Sequence, residues 1–465
     1  MPSVRTEYDT LGMVEVPSEA LWGAQTERAR RNFGVTGLPI GRLPELISAL
    51  AMVKRAAARA NARIGQLPAE KLQAVERACI EIASGEHAMA FPVDVIQGGA
   101  GTSTNMNMNE VIANLANLNL GGELGRYAPV HPNDDVNRSQ STNDVYPTAV
   151  RLSVILAAAP LKAALADLVA VLVEKSAAFG TIVKLGRTQL QDAVPMTLGQ
   201  EFSAFATVLQ EDIERISEME ALLCEVNLGG TAIGTGVNAA PGYANHAIAE
   251  LREISGVPLL RARNLVEASW DMGAFVLFSA MLKRLATKLS KIANDLRLLA
   301  SGPRGGLGEI LLPQMQPGSS IMPGKVNPVI PEMVNQVAFQ VIGNDLALTL
   351  AAEAGQLQLN AMEPLIAFNL HASLHLLTRA VRSLNVQCIA GIEADPLRCR
   401  AHLDAGVSVV TALVPLIGYA NAAALALDAL RLGRPIAEVA VERGLFSAED
   451  SRRLLDPLAL AFPAA

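Results

Sequence analysis

Apolar residues recur every three or four positions over long stretches of this chain. Between about 275 and 300, Phe278, Leu282, Leu285, Leu289, Ile292, Leu296 and Leu299 alternate steps of four and three. That is the heptad-like stripe of a helix packed lengthwise on another. Lys283, Arg284, Lys288, Lys291 and Arg297 occupy the positions between. A second stripe, Phe202, Phe205, Leu209, Ile213, Ile216, Met219 and Leu223, predicts a helix over about 198–226. A third is expected over about 145–179, kinked or restarted at Pro160, because proline lacks an amide hydrogen and clashes with the preceding turn. A fourth covers about 331–357. Helices this long and apolar predict a bundle.

Glycine and proline punctuate the intervals, at 98–102, 131–135, 229–236 and 302–306. They mark turns and backbone that needs unusual dihedrals. No internal repeat or low-complexity linker appears. Breaks near Asn137-Arg138 and near Glu393-Ala394-Asp395-Pro396 divide the chain into three expected domains. These are a mainly helical N-terminal domain (1–138), a central helical bundle (139–394) and a small helical C-terminal domain (395–465).

Composition agrees with a mainly α protein. Half the residues are apolar, only 4% are aromatic, and Ala and Leu, both helix formers, dominate. The formal charge of −7 is spread without runs, and no basic cluster with interleaved aromatics exists, so nucleic acid is not an expected partner. Cys79, Cys224, Cys388 and Cys399 have neither zinc-site nor disulfide-framework spacing. Reduced, buried thiols are expected, which suits the cytoplasm. Residues 1–7 show no apolar signal core. No uncharged apolar run reaches the ~18–20 residues of a spanning helix, so no membrane partner is expected. Mean hydropathy is nevertheless positive. Surplus apolar surface of this kind is most simply buried between subunits, which predicts an oligomer.

Chemistry concentrates in polar segments beside the apolar helices. Gly318-Ser319-Ser320-Ile321-Met322-Pro323-Gly324-Lys325-Val326-Asn327 brings backbone N–H groups, a cation and an amide together, a combination suited to a carboxylate. Its bland alternative is a glycine- and proline-rich connection before a helix. Gly101-Thr102-Ser103-Thr104-Asn105 and Ser139-Gln140-Ser141-Thr142-Asn143-Asp144 carry uncharged donors. Each alone reads as a helix cap. Together, at the starts of long helices, they form a second anion site. In Gly186-Arg187-Thr188-Gln189-Leu190-Gln191-Asp192, Arg187 and Asp192 read as ion-pair partners of each other or of neighbours, leaving Thr188 and Gln189 as candidates. Gly-rich 228–236 is no dinucleotide fingerprint, because no strand–helix unit surrounds it.

These motifs resemble the fumarase/aspartase superfamily, and within it the aspartate ammonia-lyases. Residues 318–327 match the signature Gly-Ser-Ser-x-Met-Pro-x-Lys-x-Asn at every fixed position, and 98–109, 137–144, 186–200 and 228–238 match as well. The resemblance implies a three-domain fold whose five long central helices assemble into a homotetramer, each active site drawing residues from three subunits. It implies reversible deamination of L-aspartate to fumarate and ammonia through an aci-carboxylate, with class II fumarase chemistry on L-malate as the alternative. Ser319, six residues before Lys325, resembles the general base, with Ser320 beside it. Thr102, Ser141 and Thr142 resemble the donors to one carboxylate, helped by backbone N–H groups of 318–327, and Lys325 and Asn327 the clamp on the other, with Asn143 and Thr188 also against substrate.

Gln189 departs from the histidine that many members place here, bonded to a glutamate matching Glu332. Glutamine has no usable proton equilibrium, which suits an ammonium leaving group that already carries its proton. The segments at 191–196, 331–336 and 352–360 also read as aspartase-like. His131-Pro132-Asn133-Asp134-Asp135 resembles a second dicarboxylate site of fumarases, although a turn with a structural histidine is the preferred reading. No redox or nucleotide cofactor and no protein-held metal is expected for the chemistry. Divalent-metal activation is not legible in the residues.

Overall fold

A computed structural model describes residues 3–462. The chain is mainly helical, with short two-stranded sheets, and it forms two compact units, each drawn from three separate stretches. One unit comprises the chain up to Lys162, Glu214–Arg284 and Phe339–Leu377; the other comprises Ala163–Ile213, Leu285–Ala338 and Thr378–Ala465.

The four expected long helices form as Thr142–Ala178, Leu198–Leu223, Gly273–Leu299 and Val329–Glu353. A fifth, Glu363–Gln387, was not among those expected from periodicity. In Gly273–Leu299 every member of the apolar stripe is buried. The intervening cations find specific partners: Lys283 pairs with Asp345, and Lys288 with Asp212 at 2.8 Å. Arg297 donates to Asn335 at 3.2 Å. Pro160 does not restart its helix, which runs unbroken through both Pro147 and Pro160. A helix-interior proline costs about 3 kcal/mol. Fully buried Ala158, Leu161, Leu165 and Leu168 flank it, and each buried leucine contributes about 1.5–3 kcal/mol, which outweighs the penalty. Thr142–Ala178 is also long and apolar enough to cross a membrane, yet it carries Lys162 and Asp167, and Lys162 pairs with Glu220 at 2.6 Å.

Near the C-terminus, Asp395 caps the helix Pro396–Ala405 by accepting from the Arg398 amide. Short helices beyond it close around their own core of Leu413, Leu425, Ala429, Ile436, Val439 and Leu455. All four cysteines are free and buried. Burial pushes the Cys79, Cys388 and Cys399 thiols up to about 12, so they stay protonated and unreactive.

Candidate active site

The conspicuous loop packs onto itself. The Gly318 amide bonds the Lys325 carbonyl at 3.0 Å, and the Asn327 side-chain amide donates to the Gly318 carbonyl at 2.8 Å, closing residues 318–327 into a ring. Lys325 Nζ reaches Asn327 Oδ1 at 2.5 Å. Asn327 thus clasps the loop ends and orients the lysine. Ser319 Oγ accepts from the backbone amides of Ile321 at 3.3 Å and Met322 at 3.0 Å. Two donors aimed at one hydroxyl oxygen favour its negative form. Ser320, by contrast, is exposed. The loop feeds directly into Val329–Glu353, and Glu332 stands in that helix's first turn.

The close approach at Gly318 leaves no room for a side chain. A Cβ there would lie 2.3 Å from the Lys325 carbonyl oxygen and 2.9 Å from the Asn327 amide nitrogen. Gly318→Ala is therefore expected to open the ring and lower kcat by about 10²-fold, the scale of a 1 Å misplacement. Steady-state kinetics together with a melting curve that changes little checks this.

The same unit holds a hairpin absent from the sequence expectations. Strands Val183–Thr188 and Gln191–Thr197 pair antiparallel, with Gln189 and Leu190 as the two-residue turn. Both have positive φ, +55° and +62°, as a type I′ turn demands. Neither residue is glycine or asparagine, so the tip holds strained backbone. It presents Thr188 and Gln189 to solvent. No hydrogen bond joins Gln189 to Glu332 among the described residues of the single chain.

Arg187 and Asp192 face one another in register, but Arg187 takes another partner. It binds the fully buried Glu309 at 2.7 Å, which also meets Lys184 at 3.0 Å and His402 at 3.0 Å. Burial raises the Glu309 carboxyl, but Lys184, His402 and Arg187 outweigh it, and its pKa is lowered overall. This cluster anchors the root of the hairpin whose tip carries Gln189.

The remaining candidates lie in the other unit. Thr102 and Thr142 are the first residues of Thr102–Asn119 and Thr142–Ala178, so both stand at helix N-termini. The cap reading fails for Thr102, because the preceding residue is Gly101, in left-handed backbone at φ +84°. A Cβ on Gly101 would strike the Tyr146 ring at 2.5 Å. Thr142 Oγ1 accepts from Asn105 at 3.1 Å, and Ser141 Oγ from the Asn143 amide at 3.3 Å. Asn143 donates to the Ala232 carbonyl at 2.7 Å.

Behind this row sits an ionisable pair that sequence reasoning missed. Asp144 is fully buried and accepts from the amides of Ser141, Gly229 and Thr231. The glycine-rich segment is thus a cradle for Asp144. Lys54 is also fully buried, and donates at 2.9 Å to both Asn137 Oδ1 and Gln140 Oε1. Burial brings Lys54 down to about 7 against the pull of Asp144, and raises Asp144 to about 6 despite its amide donors. Lys54 stands behind the segment that presents Ser141 and Thr142, and is a cation there below about pH 7. The available signal was faint: a lone lysine following Leu46 and Leu50 at four-residue steps on an apolar helix face.

His131 caps the short helical turn Pro132–Val136. Its Nδ1 accepts from the amides of Asn133 and Asp134, and Asp135 in the same turn binds Lys71 at 2.8 Å.

Residues 12–343 match a family model described as "Lyase", and residues 409–461 match "Fumarase C C-terminus". The chain belongs to the fumarase/aspartase family of lyases. Aspartate ammonia-lyase of Pseudomonas fluorescens is 59% identical, over 95% of this chain and 93% of that protein. Its namesake in Escherichia coli K12 is 49% identical, over 96% and 93%. Among solved structures, a protein from Brucella melitensis described as fumarate lyase:delta crystallin bound to cobalt is 58% identical, with a TM-score of 0.97 over 99% of this chain and 100% of that one. A class II fumarase from Schistosoma mansoni is 36% identical, with a TM-score of 0.95 over the full length of both chains. The fold is therefore that of the family, with the five long helices expected of it.

Proposed function

We propose that this chain is an ammonia-lyase that reversibly converts L-aspartate to fumarate and ammonia. A C–H beside a carboxylate is a very weak acid. Its removal becomes accessible when the charge moves onto that carboxylate as an aci-carboxylate, held by preorganised donors. Thr102, Ser141, Thr142 and Asn143, at the starts of two helices and backed by Lys54, are the donors we assign to it. Ser319 takes the β-proton, Lys325 with Asn327 grips the other carboxylate, and Thr188 and Ser320 complete the substrate contacts. The C–N bond electrons leave with nitrogen as neutral ammonia, which then takes up a proton. The observation that carries the base assignment is the pair of amides directed at Ser319 Oγ.

Gln189 selects the leaving group. Hydroxide would need an acid at this position, whereas ammonium already carries its proton. We assign Glu332 to orient Gln189 once the subunits assemble. The fumarase alternative, which the Schistosoma structure keeps in view, is separated by one assay. Fumarate absorbance is expected to rise with L-aspartate and to stay flat with L-malate; the reverse pattern overturns the reading.

A homotetramer with composite sites is the assembly we propose. The helix Val329–Glu353 exposes Phe339, Ile342, Leu346 and Leu350 along one side, an apolar stripe suited to burial against other copies. The central division into residues 1–138, 139–394 and 395–465 belongs to the same proposal. The chemistry requires no resident redox or nucleotide cofactor. The free, buried thiols suit the cytoplasm.

A further inference from the structure

Three ionisable side chains meet outside all the residues assigned above. His371 and His375 lie one turn apart on the helix Glu363–Gln387, and Glu45 stands in the first turn of Pro44–Arg63. One nitrogen or oxygen from each lies within 4.8 Å of the others. Glu45 Oε2 is 3.0 Å from His375 Nε2 and 3.9 Å from His371 Nδ1.

Ser153 Oγ donates to the Val150 carbonyl at 2.8 Å and lies 2.9 Å from His371 Nε2. In the tautomer with the proton on Nε2, which this arrangement accommodates, Nδ1 carries a bare lone pair. That atom is completely buried and has no hydrogen-bond partner. It faces the Glu45 carboxylate oxygen at 3.9 Å, and in that tautomer two acceptors confront each other. A buried polar atom left this way is costly. A cation between Nδ1 and Oε2 removes the conflict.

We propose that Glu45, His371 and His375 form a binding site for a divalent transition metal of the zinc type. Two imidazoles and one carboxylate are the donor set of three-ligand zinc sites, which keep a fourth position open. Histidines at i and i+4 supply the usual helical spacing. Imidazole donors favour zinc, cobalt or nickel over magnesium, which prefers oxygen. Ligand atoms around tetrahedral zinc stand about 3.3 Å apart, so closing the site asks for shifts of less than ~1.5 Å. Glu45 and His375 are only partly buried, which leaves the metal a way in. Ser153, bonded to the far nitrogen of His371, orients that ring as carbonyls and carboxylates do for metal-bound histidines. The metal ties the helix Pro44–Arg63 to Glu363–Gln387, so its role is structural support of this unit.

The test uses the full-length protein, stripped with a chelator and then dialysed against zinc. One tightly held zinc per chain is expected, with a rise in Tm. Cobalt in its place should give the visible ligand-field bands of low-coordinate nitrogen and oxygen ligation, unaffected by excess magnesium. His375→Gln and Glu45→Gln, both at partly exposed positions, should each lower zinc affinity at least 100-fold while aspartate deamination persists. Ser153→Ala should lower it 10–100-fold. Zinc retention well below one per chain in the unmodified protein overturns the proposal, and that measurement requires no variant to fold. Equal zinc affinity in folded His375→Gln and Glu45→Gln overturns it too, because the metal would then sit elsewhere.

Discussion

Ser319→Ala is expected to lower kcat for aspartate deamination by about 10³-fold, within the range of 10²–10⁴ typical of a lost general base. Ser319 Oγ already receives the Ile321 and Met322 amides, and alanine removes the oxygen without disturbing the ring held by Gly318, Lys325 and Asn327. Substrate affinity should change little, because the carboxylate clamps remain. The signature is thus a fall in kcat with a nearly constant KM, since the lost interaction acts in the transition state. Ser320→Ala, at the exposed neighbour, should be far milder. Stopped-assay kinetics on both variants decide the matter, and equal losses would contradict the choice of Ser319. Exchange of the substrate β-hydrogen with deuterated solvent offers a second measure, because it follows proton removal directly.

The second large effect is on stability. Glu309→Ala is expected to destabilise the fold by about 3–5 kcal/mol, the loss seen when one partner of a buried ion pair is removed. Glu309 is fully buried, and it faces Lys184, Arg187 and His402. Lys184 retains Glu201 at 2.6 Å, but Arg187 loses its carboxylate altogether. Denaturant melts measure the loss. The pH dependence follows from the lowered Glu309 pKa. Its stabilisation is complete above the unfolded value of 4.5 and disappears as pH falls through the lower folded value. Glu309→Gln should remove that part of the acid sensitivity while keeping the shape. Since Arg187 adjoins Thr188 and Gln189, both variants should also raise KM for aspartate; unchanged kinetics would show that the hairpin holds its tip without the cluster.

How much of the site was legible varied with the range of the interactions involved. The signature loop could be read because its ring is built from neighbours: the Gly318–Lys325 bond and the Ser319 contacts span nine residues or fewer. The hairpin at 183–197 could not, because its turn is Gln189-Leu190 where a local rule looks for Asn-Gly, and Pro195 sits inside a strand. The helix Glu363–Gln387 shows no legible stripe because His371, Asn369 and Thr378 interrupt the apolar pattern, though all three are buried in the fold. Pro160 reads locally as a break, since local propensity does not count the leucines that hold the turn around it.

By itself the sequence determined the mainly helical class, the long stripes that make a bundle, the lyase signature, and the glutamine that favours an amine leaving group. These are properties of residue type and short spacing, and they persist whatever the rest of the chain does. Only the tertiary structure decided which polar groups are buried and what they meet. It brought Lys54 against Asn137 and Gln140, set Arg187 on Glu309, and joined Glu45 to His375 across 330 residues. The physical reason is that desolvation and long-range hydrogen bonds depend on the surfaces other segments supply. No local pattern encodes them, and they turn an ordinary lysine, glutamate or histidine into a group with a task.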